Sequence, residues 1–196
     1  MLNIDWSAEP DLEGLRVAFA MQKNDPVKAK SELEQLSERG SLMAMYHLGN
    51  MFSRGDLGQR DFRLAEYWYT RAETGGLVLG SYRTGILCKN AGRYTEAINH
   101  LEIGERSDFS PSINLLACLY FDGRGVERDI YKARTLWQRA IAMGHIYAKR
   151  NYSRKLITGK YGASNIIDGI KLYISMSKES WRLYTENSGN IDERLL

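Results

Sequence analysis

The sequence predicts an all-α stack of about five antiparallel helix pairs, and three observations predict it. Small residues recur at Ala29, Ala65, Ala97, Ala133 and Gly169, separated by 36, 32, 36 and 36 positions. Four positions before each stands Asp25, Asp61, Arg93, Asp129 or Asn165, and eleven after each stands Gly40, Gly76, Asp108, Gly144 or Ser180. A second series of small residues, Ala44, Gly80, Ser112 and Ala148, keeps the same step at 36, 32 and 36. One period therefore carries the start, the packing position and the stop of a helix. A single hairpin cannot bury its own apolar face, so hairpins repeated at this interval must stack.

The elements follow in order. Residues 8–40 form an irregular first hairpin whose leading helix, about Leu12 to Met21, fits the period least. Its second helix starts at Asp25, whose carboxylate suits the unpaired amides of a first turn. Pro26 follows at a position where a missing N–H costs nothing. Gly40 supplies the left-handed stop. The next units are 41–76, 77–110, 111–145 and 146–180. In their first helices the small residue is followed four positions on by Leu48, Thr84, Leu116 or Tyr152, and then by Gly49, Gly85, Ala117 or Ser153. A small residue inside a helix gains little by propensity. Its use is to let a neighbouring helix come close. The last helix, about Ser164 to Glu186, carries Ile166, Ile167, Ile170, Tyr173, Ile174, Trp181 and Tyr184, and residues 181–196 are assigned as capping helix and tail. A stack of this kind requires such a cap. The whole, 1–196, reads as one solenoid domain.

Composition is that of a folded protein, with 43% hydrophobic and 26% charged residues and only three prolines. The start MLNIDWSAEPDLEG lacks the basic and apolar regions of a signal peptide, and no apolar run is long enough for a membrane span. Two cysteines do not make a disulfide framework. The expected setting is cytoplasmic. Charge is unevenly distributed. Residues 1–40 hold eight acidic and five basic side chains, whereas Ile130 to Ile167 holds Lys132, Arg134, Arg139, Lys149, Arg150, Arg154, Lys155 and Lys160 with no carboxylate. Such a field steers an anionic partner.

No catalytic constellation stands out. His47, His100 and His145 fall in separate units, and none has a second ligand at metal spacing. Cys88 occupies the position of Phe52 and Tyr120, a packing role, and Cys118 has no basic neighbour in sequence to activate it. The glycines of FDGRGVERD have no strand before them and no G-K-[ST], so they form a turn and not a phosphate cradle. Trp68, Tyr69, Tyr131 and Trp137 recur at helical spacing and are assigned to the core. No cofactor or metal is expected.

Residues 112–144 resemble the Sel-like repeat (SLR) family, a relative of the tetratricopeptide repeat, through Leu116, Tyr120, Gly123, Gly125, Val126, Asp129, Lys132, Ala133, Arg139, Ala140 and Gly144. Leu136 replaces the family's tryptophan. Residues 44–76 match through Ala44, Leu48, Gly49, Phe52, Gly55, Asp61, Ala65, Trp68, Arg71, Ala72 and Gly76, with Leu57 and Gly58 departing from the turn. Residues 80–108 have a connection four residues shorter, like a tetratricopeptide turn, and 148–180 keep little beyond Ala148 and Gly159. The resemblance implies a right-handed superhelix whose first helices line a concave groove. It implies a protein-binding adaptor or scaffold rather than an enzyme.

On that reading the groove is lined by Tyr46, Asn50, Arg54, Tyr82, Ile86, Lys89, Asn90, Asn114, Phe121, Tyr147, Arg150 and Arg154, with Cys118 on the same face. Amides suit a partner's backbone, guanidinium groups clasp carboxylates and tyrosines give rigid area. The expected partner is an acidic protein or peptide. Alternatives are a bacterial immunity protein that occludes a toxin, an enzyme using His47 with a carboxylate of a neighbouring hairpin, and an RNA-binding protein. The basic segment lacks RNA-binding motifs, so nucleic acid is not the expected partner.

Overall fold

A computed structural model describes residues 9–188. The described residues form ten α-helices and no strand. They divide into two compact units, residues up to 109 and residues from 110. The first unit holds α1 (Leu12–Met21), α2 (Pro26–Glu38), α3 (Leu42–Arg54), α4 (Phe62–Thr74), α5 (Val78–Asn90) and α6 (Tyr94–Arg106). The second holds α7 (Ser110–Asp122), α8 (Ile130–Ala142), α9 (Ile146–Ile157) and α10 (Ile166–Ser188). Each helix packs on the next one in its unit, so the first unit is three stacked hairpins and the second is two.

The small residues do what their spacing predicts. Ala29, Ala65, Ala97, Ala133, Ala44, Ser112 and Ala148 are all fully buried. A methyl group on Gly80 would lie 2.6 Å from the Tyr69 carbonyl oxygen and 2.7 Å from the Glu73 nitrogen. Helix α5 thus rests directly on the backbone of α4. Gly169 repeats the arrangement, since a Cβ there would sit 2.8 Å from the Ile157 nitrogen.

All five predicted starts directly precede a helix, and three of the four expected caps form through the side chain. Asp25 accepts from the Lys28 amide, Asp61 from Arg63 and Leu64, and Asp129 from Lys132. Arg93 caps nothing with its side chain and instead pairs with Glu66 and Glu96. Asn165 directly precedes α10 in a single 3-10 turn (Ala163–Asn165), where its amide donates to the Tyr161 carbonyl at 2.8 Å. A cap not foreseen is His145, whose Nδ1 accepts from the Ala148 amide at 3.0 Å and starts α9.

One anchor closes every long or short connection inside the matching hairpins. The amides of Asp61 and Asp129 donate to Phe52 and Tyr120 at 3.0 Å, and that of Arg93 donates to Cys88 at 2.9 Å. Phe52, Cys88 and Tyr120 hold the same repeat position, so the four missing residues are removed from the turn and not from the packing. Gly123 and Gly125 have φ of 66° and 73°, the left-handed region that the longer turn requires.

Stops hold at Gly40, Gly76 and Gly144, all with positive φ, and at Asp108 with φ 51°. The fifth predicted stop fails. Ser180 lies inside α10, which runs unbroken for 23 residues, so no boundary separates a unit ending at 180 from a capping helix starting at 181. Without a glycine there, nothing favours the left-handed turn that ended the other helices. The expected cap also differs in character: Ile167, Ile170, Tyr173, Ile174, Trp181 and Tyr184 all face outward. The tail 189–196 lies outside the described residues.

Removing the α8 cap with Asp129→Ala should lower stability by about 1 kcal/mol. Gly125→Val, which forces a β-branched residue to positive φ, should cost more, about 1–3 kcal/mol. Chemical denaturation of both variants checks this, and wild-type midpoints would contradict the assigned turn.

Candidate functional site

In the first unit, the predicted wall residues come from α3 and α5. Tyr46, Asn50, Tyr82, Ile86 and Lys89 are half-buried, while Arg54 and Asn90 are exposed. Several are already engaged. The Tyr69 hydroxyl donates to Asn50 Oδ1 at 2.8 Å, which leaves the Asn50 amide to donate outward. Tyr82 meets Phe109 edge-on at 5.4 Å, and Arg54 pairs with Asp56 and donates to Gln22 at 3.1 Å.

Arg83, absent from the predicted set, organises this wall. Its Nε donates to the Tyr46 hydroxyl at 3.3 Å and its guanidinium lies 5.8 Å from the Tyr46 ring centre. The Tyr46 ring in turn lies 5.9 Å from Tyr69. Burial pushes the Tyr69 hydroxyl up to about 12, so it stays a neutral donor. Arg83 stands one residue before Thr84, the position held by His47 in the preceding hairpin and by Asn151 in the last. A search of that position for polar side chains would have found it.

In the second unit, Asn114 Oδ1 accepts from both the Trp137 indole at 3.2 Å and the Asn151 amide at 3.0 Å. Cys118 is half-buried and receives the same Asn151 amide at 3.7 Å. Phe121 corrects the predicted set. It is buried, with its ring 5.5 Å from Trp137 and 5.7 Å from Tyr161, and it offers nothing to a partner. Five positions past Leu116, it turns inward under Arg128 and Lys155, whose cationic groups lie 5.5 Å and 4.1 Å from the ring centre.

Tyr147, Arg150 and Arg154 lie exposed on α9, with the Arg150 guanidinium 5.0 Å from the Tyr147 ring centre. Four residues apart on a helix, the two arginines share a face. Three other cations of the basic segment are occupied. Lys149 pairs with Glu179 at 2.7 Å, Lys155 with Asp122 at 3.4 Å, and Lys132 lies over the Tyr120 ring at 3.9 Å. Among the described residues, the side chains of Arg150, Arg154 and Lys160 make no ion pair.

The titratable groups do not assemble as the enzymatic alternative requires at His47. Its Nδ1 is buried without a hydrogen-bond partner, and burial, reinforced by Arg54, lowers its pKa to about 4. With Leu12, Leu15, Arg16 and Phe19 it lines an apolar cavity of about 440 Å³. The histidine that does meet a carboxylate is His100, whose Nδ1 lies 2.9 Å from Glu73; that hydrogen bond raises its pKa against the opposing effect of burial. Burial pushes the Cys88 thiol up to about 11, which keeps it protonated and unreactive. Among the described residues, no group of three His, Cys, Asp or Glu side chains is placed to hold a metal, and no helix is long and apolar enough to cross a membrane.

The Sel1 repeat profile matches residues 42–77 and 110–145, the two units that carried the sequence resemblance. A curated relative, the ERAD-associated E3 ubiquitin-protein ligase component HRD3B of Arabidopsis thaliana, is 29% identical over 135 residues. That match takes in 63% of this chain but only 22% of the relative. The Sel1 repeat protein of Oxalobacter formigenes superposes with a TM-score of 0.72 at 17% identity, over 85% of this chain and 72% of that one. A protective antigen of uropathogenic Escherichia coli displaying an SLR fold gives 0.70 at 19% identity, over 85% of this chain and 38% of that one. At these identities the two structures establish the fold alone.

The histidines make stability depend on pH in opposite directions. His47 has a folded pKa near 4 against 6.5 unfolded, so its contribution is complete above pH 6.5 and is lost as pH falls toward 4. His100 is raised, so its pairing contributes fully below pH 6.5 and is lost as pH rises through its folded value. His47→Gln should flatten the decline in urea stability between pH 6.5 and 4 by up to about 3 kcal/mol. His100→Gln should not flatten it. An unchanged pH profile in His47→Gln would contradict the buried neutral imidazole.

Proposed function

From the premise that this chain is a Sel1-repeat protein, we propose that it is a non-enzymatic adaptor that binds an acidic protein segment. Sel1 repeats are a protein–protein interaction module. The observation that carries the choice of partner is on α9. Arg150 and Arg154 are exposed, one turn apart, without an ion pair among the described residues, and next to the exposed Tyr147. A carboxylate-bearing segment laid along α9 meets two bidentate donors and an aromatic face. Asn114 and Asn151, already bonded to each other, give the neighbouring surface a fixed geometry at little further entropic cost.

In the first unit, the Arg83–Tyr46 contact and Asn50 offer a comparable mixture of cation, aromatic and amide. The likeness to a component of a ubiquitin-ligase assembly supports a scaffolding role, although the match spans 22% of that protein. The proposed setting is cytoplasmic. An immunity protein that occludes a toxin is the other version of the same binding reading, and partner number separates the two. A scaffold retains several proteins of an assembly, whereas an immunity protein retains one toxic effector.

The test is co-purification from the native cell, followed by affinity measurement with the recovered partner. Arg150→Glu combined with Arg154→Glu should weaken binding at least tenfold, about 1.4 kcal/mol, and reduce its salt dependence. Unchanged affinity would exclude the α9 surface.

A further inference from the structure

Helix α10 presents two apolar faces, and only one has a partner among the described residues of its unit. Gly169 and Met176 are buried, and Leu172 half-buried, on the side that packs against α9. Roughly opposite lie Ile167, Ile170, Tyr173, Ile174, Trp181 and Tyr184, which are 44–68% exposed. Between the two faces run Asp168, Lys171, Ser175, Lys178 and Arg182. At 100° per residue the exposed side chains form one stripe, about 25 Å long from Ile167 to Tyr184.

The repeat identifies what this stripe is. Four positions after the small residue of each second helix stands a large side chain: Leu33, Tyr69 and Trp137 in the helices α2, α4 and α8. These, like Leu101 of α6, are 0–2% exposed: Tyr69 packs on Gly49 and Leu101 on Gly85 of their own hairpins, and Trp137 lies against Phe121 of its own hairpin and Tyr152 of the next. The equivalent residue in α10 is Tyr173, which is 44% exposed. The stripe is therefore a face of a second helix that, unlike its counterparts, has no packing partner among the described residues of its unit.

We infer that a second copy of this chain covers the stripe, α10 against α10, antiparallel, with the two-fold axis at Ser177. The pattern of side chains is what commits the occupant. Tyr173 and Trp181 lie four residues on either side of Ser177, and Ile170 and Tyr184 lie seven on either side. An antiparallel partner turned about Ser177 therefore sets Tyr173 against Trp181 and Ile170 against Tyr184 across the interface. The serine pair at the centre allows the backbones to approach. Residues 170, 177 and 184 are spaced by sevens, the repeat that keeps a seam facing its partner.

The area is sufficient. Six large side chains at these exposures present several hundred Å² of surface, beyond what a monomer ordinarily leaves as one apolar patch. With the intervening serines, this approaches the roughly 800 Å² per partner of a stable interface. The cationic edge of Lys171 and Lys178 meets the same edge of the partner, so salt strengthens the dimer by screening like charges. That sign is opposite to the salt dependence of an acidic partner bound on α9.

The full chain, at 22.4 kDa, should sediment as a concentration-dependent dimer between about 1 and 100 µM, tightening from low to moderate salt. Ile174→Glu with Trp181→Glu should give a monomer with unchanged helicity and melting temperature, since both side chains are exposed. Under mild oxidation, Ser177→Cys should form a covalent dimer, because residues on the axis come within disulfide reach. Ser175→Cys, on the polar face, should not. A monomer at every concentration overturns the inference and leaves the stripe to a different protein. A dimer unaffected by the two glutamates, or cross-linked equally at 175 and 177, overturns it as well.

Discussion

The structure depends on the closeness with which successive helices approach at the small-residue positions. Where Gly80 lies against the backbone of α4, no Cβ is accommodated, and the alanines in the same role are completely buried. Contact between backbones leaves little freedom in how one helix crosses the next. Once the crossing is fixed, the large residue four positions along, Tyr69 or Trp137, is placed in a single pocket. The hydrogen bonds from Tyr69 to Asn50 and from Trp137 to Asn114 then tie the second helices to the wall that the first helices present. Partner-facing side chains are thus held by core packing and not by loops.

That dependence explains what was legible in the sequence. The small residues, the aspartate caps and the glycine stops are local signals with a direct geometric meaning, so helix positions followed from them within a residue or two. Helix starts without a capping side chain needed the tertiary environment. Arg93 stands at a cap position but is drawn to Glu66 and Glu96, and His145 caps α9 because burial keeps its ring neutral enough to accept. The run of α10 through Ser180 is the absence of a stop signal, which a periodic template reads as a conservative replacement.

The candidate surface was less legible than the fold. Periodicity places a residue on a face, but it does not say whether a neighbour already covers that face. Phe121 was assigned outward and is enclosed by Trp137 and Tyr161. Arg83 lies one position before the repeat position of Leu48, so a count of two positions on either side does not reach it. The stripe on α10 was read as a cap because its residues match those of buried helices. In α10 they have no counterpart among the described residues of the unit. The two binding readings differ accordingly: the α9 arginines rest on charge, and the α10 stripe rests on packing geometry.

The central claim, that backbone-close crossings hold the stack, is tested most directly by Gly80→Val measured against Gly58→Ala. Gly58 has open space around its missing Cβ and lies in a turn, so its loss is limited to the strain of positive φ. At Gly80 the added side chain has only α4 backbone to displace, and urea denaturation should show a loss of more than about 2 kcal/mol with α4 and α5 parted. A Gly80→Val protein as stable as the wild type would contradict the account.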